Sequence, residues 1–123
     1  MASAPIVHLH DVDRFARLAV NYLAGRSAPA FRQDLMAQHA IAYCLLSLSN
    51  AVARIDTENP GFLRDQLRAD IAWQYFIEIQ IFLGRGFDRL DADALRRTVI
   101  DDLPALISVT ETYLAEWDDQ NER

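Results

Sequence analysis

The chain has 123 residues, of which 51% are apolar and 24% charged, enough for one domain and too apolar for a disordered segment. Its formal net charge of −6 excludes a protein that coats nucleic acid through a broad basic face. No run approaches the ~18 consecutive apolar residues of a membrane-crossing helix, and the start, Met1-Ala2-Ser3-Ala4-Pro5, lacks the basic and apolar regions of a signal peptide. A soluble cytoplasmic protein with no membrane partner is expected.

A first helix is predicted over about Leu9–Ala24. Val12, Phe15, Ala16, Ala19, Tyr22 and Leu23 form one apolar stripe at helical spacing. Gly25 is placed to close it in a left-handed cap. Ser27-Ala28-Pro29 then leads into a short helical turn around Phe31. A long second helix is predicted over about Leu35–Ile55. Ile41, Tyr43, Leu45, Leu46, Leu48, Val52 and Ile55 cannot share a single stripe, so this helix must be buried on more than one side. In so small a protein, one of those sides is expected to face another chain. Cys44, the single cysteine, lies in this run; it excludes an internal disulfide and reads as a small buried hydrophobe.

Asn59-Pro60-Gly61 breaks the helix, and a short helical stretch is predicted over Phe62–Ala69. A densely apolar helix follows over about Ile71–Leu83, closed by Gly84-Arg85-Gly86. The last helix is predicted from Asp91 or Asp93, both suitable N-caps, to about Trp117, with a kink at Pro104. The ends, residues 1–6 and 118–123, are expected to be flexible. The fold class is therefore all-α: a single domain, 1–123, forming an up-and-down bundle of four main helices with minor ones.

Few residues suggest chemistry. His8 and His10, with Asp11 and Asp13, are metal-capable types, but residues two apart on a helix point apart, and solvated polar residues are expected there. No metal or other cofactor is predicted. His39, beside Gln38, reads as a partly exposed or interface histidine. Trp73, Tyr75 and Phe76 read as core rather than a base-stacking platform. Arg85, Arg89, Arg96 and Arg97 form the one basic cluster, with the chemistry to hold a phosphate or an acidic partner. Asp88, Asp91 and Asp93 are interspersed, which fits an ordinary mixed-charge surface better.

Four segments together resemble the HepT-like branch of the HEPN superfamily: Asn21-Tyr22-Leu23-Ala24-Gly25, Asn50-Ala51-Val52-Ala53-Arg54-Ile55, Ile71-Ala72-Trp73 and Thr98-Val99-Ile100-Asp101-Asp102-Leu103-Pro104-Ala105-Leu106. The resemblance runs from about Leu9 to Leu114. It implies a homodimeric helical bundle related to the toxin half of toxin–antitoxin pairs. Such toxins are metal-independent ribonucleases, partnered by a minimal nucleotidyltransferase as antitoxin. The family signature is an Arg with an adjacent polar residue, a His after four intervening residues, and a Tyr two further on. The His moves protons near neutral pH, and the Arg braces phosphate charge.

In that register this chain carries Gln80, Ile81, Arg85 and Phe87, and two positions that are commonly acidic in the family hold Leu46 and Asn50. Gln80 has no charge to brace a phosphorane, Arg85 stays protonated, and Phe87 has no hydroxyl to be adenylylated. The resemblance thus implies the scaffold without the catalytic set: a degenerate ribonuclease acting as a homodimeric binding or regulatory module, with no catalytic residues. Ile41, Leu45, Leu48, Phe76, Ile77 and Ile81 are the residues expected at the dimer interface. Two other readings stand beside it. One is an active endoribonuclease with a rearranged site, in which Arg85 braces phosphate and His39 moves the proton; the other is a docking partner of a nucleotidyltransferase-like protein. RNA is a less favoured partner than protein.

Overall fold

The structure, a computed structural model, describes residues 4–121. Among these there are six α-helices and no strand: α1 (Pro5–Leu23), α2 (Ala28–Arg32), α3 (Leu35–Glu58), α4 (Trp73–Leu83), α5 (Ala92–Arg97) and α6 (Leu103–Asn121). Two π-helical turns, Leu63–Leu67 and Thr98–Asp102, complete the set. Met1, Ala2, Ser3, Glu122 and Arg123, at the ends expected to be flexible, lie outside the described residues. Within those ends, Pro5 and Ile6 are already helical, and α6 continues through the polar Asp118–Asn121.

α1 starts four residues earlier than its apolar stripe predicts. Pro5 supplies a φ suited to a first helical turn, where its missing N–H is not needed. This extra turn carries His8, which is not solvated as expected. It is buried, and its Nε2 lies 2.8 Å from a carboxylate oxygen of Glu58 at the end of α3. Val12, Ala16, Ala19 and Leu23 face the core as predicted, joined by Leu9, whereas Phe15 is half-buried and Tyr22 exposed. At the C-terminus the first left-handed residue is Ala24 (φ 45°), with Gly25 (φ 73°) second. The Ala24 N–H closes on the Val20 carbonyl.

Polar side chains fix the other helix ends. Ser27 and Asp34 accept from the Ala30 and Ala37 N–H groups and so cap α2 and α3. The buried Gln38 amide donates to the carbonyls of Phe31 and Arg32 at the end of α2, where the Phe31 carbonyl also accepts the Asp34 N–H. The Phe31 side chain is fully buried in the core. Asp91 caps α5 through the Ala94 N–H, while Asp93 instead makes a two-pronged ion pair with Arg32 at 2.9 and 3.0 Å. Among the described residues no buried side-chain polar atom lacks a partner.

α3 is the central helix. α1 packs along one side of it, α4 along another, and α2 and α5 meet its N-terminal half. Ile41, Leu45, Leu48, Val52 and Ile55 are therefore covered from within one chain, without a second, while Tyr43 on the same helix is exposed. Ile41, Leu45, Leu48 and Phe76, expected at a dimer interface, are core residues of the single chain, and Ile77 is half-buried against that core. Of the six, only Ile81 is exposed, at 54%.

Contacts give the chain direction. His8 meets Glu58, and Phe15 meets Tyr43, so α1 and α3 run oppositely. Trp73 and Ile77 lie near Asp56, and Ile79 and Leu83 lie near Leu45, so α4 reverses again. Arg96 reaches Arg26, Thr110 reaches Asp13, and Tyr113 packs on Phe62, so α5 and α6 run back along α1. The main helices alternate in direction, as an up-and-down bundle requires.

The single kinked last helix of the prediction is instead α5, a π turn and α6. Pro104 has no N–H, and its ring crowds the carbonyl four residues back, that of Ile100. The π turn widens the helix here, with the Leu103 N–H bonding the Thr98 carbonyl five residues back.

Candidate functional site

Two of the concave regions beside α4 involve the candidate residues. The first is an open groove between α3 and α4, lined by Asn50, Ala53, Arg54, Thr57, Glu58 and Gln80. It brings together Asn50 and Gln80, two of the positions singled out by register. Its floor is fixed by Ser49. The Ser49 hydroxyl accepts from the Gln80 N–H at 2.8 Å and donates to the Phe76 carbonyl at 2.5 Å. One side chain of α3 thus occupies both ends of a backbone rung of α4. That locks the two helices in register at the position where the family resemblance puts an Arg.

The rest of the signature register does not converge on this groove. Ile81 points to solvent from α4. The Arg85 guanidinium lies over the Phe82 ring at 5.8 Å. Phe87 packs beside His39, with ring centroids 6.1 Å apart and planes inclined at 36°. The fold therefore places the exposed His39 imidazole beside Phe87, a proximity with no signal in sequence spacing. No group of three or more His, Cys, Asp or Glu able to hold a metal occurs among the described residues.

The second region is a cavity of about 320 Å³ between α4, α5 and the loop joining them. Leu45, Ile79, Leu83, Leu90 and Leu95 form its walls, Phe82 its lip, and Arg89 and Asp91 its charged border. Tyr75 and Thr98 share a hydrogen bond of 2.6 Å on one wall. Tyr75, expected in the core with Trp73 and Phe76, is half-exposed here, while its two neighbours are buried. Burial of part of the ring raises the phenol pKa above its ordinary value, and the nearby Asp102 carboxylate acts in the same direction. Sequence reasoning missed this cavity because its walls are ordinary leucines and isoleucines from three separate stretches of chain.

The arginine cluster divides. Arg89 borders the cavity, and Arg85 stacks on its lip. Arg96 turns to the loop after α1, where its Nε donates to the Arg26 carbonyl at 3.0 Å. Arg97 is exposed on the next position of α5. The four do not form one anion site.

Fold and sites define an all-helical bundle with a polar groove on one flank of α4 and an apolar cavity on another. Comparison with protein-family models, curated proteins and solved structures finds no match to this chain.

Proposed function

We propose that this protein is a catalytically degenerate HepT-like module that acts by binding, as a cytoplasmic homodimer. The observation that carries the reading is the chemistry of the signature register. Gln80, Ile81, Arg85 and Phe87 offer neither a proton carrier near neutral pH nor a hydroxyl to modify, and the groove that Gln80 lines holds Asn50, Arg54 and Glu58, whose carboxylate is engaged by the buried His8. The dimer is supported by α4, which is apolar along most of its length, packs chiefly on α3 and leaves Ile81 exposed. The partner is a second copy of the chain and, by the resemblance, a protein of the minimal nucleotidyltransferase class.

The experiment is an RNA cleavage assay on the purified protein beside the triple variant Gln80→Arg, Ile81→Asn, Arg85→His. The wild type is expected to leave RNA intact, and the variant to cut it. Cleavage by the wild type overturns the reading.

A second reading is favoured by one contact, that of His39 with Phe87. In it the protein is a ribonuclease in which His39 moves the proton and Arg85 braces the phosphate. It requires wild-type cleavage that His39→Ala abolishes.

A further inference from the structure

We propose that the cavity between α4 and α5 binds a small amphipathic carboxylate: an apolar chain in the pocket, with its carboxylate on Arg89. The proposal stands whether or not the chain dimerises. A volume of about 320 Å³ falls within the range of small-molecule sites. It has room for an eight-carbon fatty acid or an arylalkanoic acid.

The walls call for a hydrocarbon body. Leu45, Ile79, Leu83, Leu90 and Leu95 line the space, and the Phe82 ring stands at its mouth 66% exposed. Leaving so much aromatic surface wet is unfavourable unless something covers it.

The polar groups select the head. Thr98 Oγ1 donates to the Ala94 carbonyl at 3.0 Å, so in the Tyr75–Thr98 bond Tyr75 is the donor. That hydroxyl pair is satisfied internally and has no hydrogen left for a ligand. The Asp91 carboxylate accepts the Ala94 N–H at 3.1 Å in the cap of α5. Arg89 is different: among the described residues no carboxylate pairs with it, and its guanidinium offers the donors a carboxylate needs.

The cavity is separable from the face proposed for dimerisation. Tyr75, Ile79, Phe82 and Gly86 recur at helical spacing on the cavity side, whereas Gln74, Glu78 and Ile81 lie about 100° round α4.

The test is a titration of the isotope-labelled full chain with sodium octanoate, hexanoate and octylammonium, following the backbone amides of Gly86, Leu90 and Leu95 by NMR. Octanoate is expected to shift these amides and to bind about tenfold tighter than octylammonium. Hexanoate, two methylenes shorter, is expected to bind about tenfold more weakly than octanoate. Arg89→Gln, a surface change, should bring the octanoate and octylammonium affinities within about twofold of one another. Ala94→Leu, which fills the pocket, should abolish the shifts while the far-ultraviolet circular dichroism stays native. Equal binding of octanoate and octylammonium by the wild type overturns the proposal, as does the absence of shifts at millimolar octanoate. It is also overturned if the same amides move with protein concentration alone and ignore octanoate, because a second copy then fills the cavity.

Discussion

Ser49 shows how much one hydroxyl can fix. It bridges the Gln80 N–H and the Phe76 carbonyl, so α4 is held to α3 by a bond inserted into its own ladder. Ser49→Ala is expected to lower the unfolding free energy by about 1–2 kcal/mol in urea denaturation; no change would mean that the rung closes directly once the hydroxyl is gone. Cys44 sits in the same helix and is fully enclosed, and burial pushes its thiol pKa up to about 11. Thiol reagents at pH 8 should therefore label native protein far more slowly than urea-unfolded protein. Rapid native labelling would show that α3 opens locally. Ala24 holds a left-handed conformation that costs a non-glycine residue about 1 kcal/mol. Ala24→Gly is expected to raise stability by up to that amount, since its side chain is exposed and loses no packing. A lower melting temperature would count against the cap geometry.

At the scale of elements, two junctions carry most of the information. In the first, Pro104 and the π turn before it divide the last helix. Rewinding the turn to α geometry would rotate α6 by about 100° relative to α5. That would carry Leu103, Leu106 and Thr110, all fully buried, out of the core. Burial therefore maintains the turn even without the proline. Pro104→Ala is expected to keep the fold and to change stability by less than about 1 kcal/mol. A loss of several kcal/mol would assign the turn to the proline itself. The second junction is the Arg32–Asp93 pair, which ties α2 to α5. The Arg32 guanidinium holds the Asp93 carboxyl below its ordinary pKa. A depressed folded-state pKa contributes stability above the unfolded-state pKa, and that stability is lost as pH falls through the folded value. Below about pH 4 the melting temperature should fall more steeply in the wild type than in Arg32→Gln.

For the molecule as a whole, the surface of α4 away from α3 is the one that bears on assembly. The inner side of the helix is satisfied by α3, and its remaining apolar residues point two ways, Ile81 outward and Phe82 over the cavity. A homodimer through the outward face predicts that Ile81→Arg shifts the wild type from dimer to monomer in sedimentation or light scattering and leaves its helicity unchanged. A wild type that is monomeric at every concentration tested would remove the dimer from the reading. α3 is also long and apolar enough, by length and composition, to cross a membrane. In this fold it serves instead as the axis on which α1 and α4 pack.

The sequence by itself determined the main helices and their order, but not the division of the last one into α5, a π turn and α6. Apolar residues recur at helical spacing, and breakers at Gly25, Asn59-Pro60-Gly61 and Gly84-Arg85-Gly86 stand where the chain turns. It also determined that α3 must be buried on several sides, because residues such as Ile41, Leu45, Leu48 and Ile55 cannot share one stripe. Only the tertiary structure decided what buries them. A periodicity counts apolar faces and cannot tell a neighbouring helix from a neighbouring chain. The same limit hid the site. His8 and Glu58 are fifty residues apart, and His39 and Phe87 forty-eight. The cavity draws Leu45, Ile79 and Leu95 from three segments whose only shared signal is that each is apolar. Spacing along a chain encodes the angle of a side chain around its own helix. Which angles face each other across space depends on how the helices pack, and that is settled by the whole core at once.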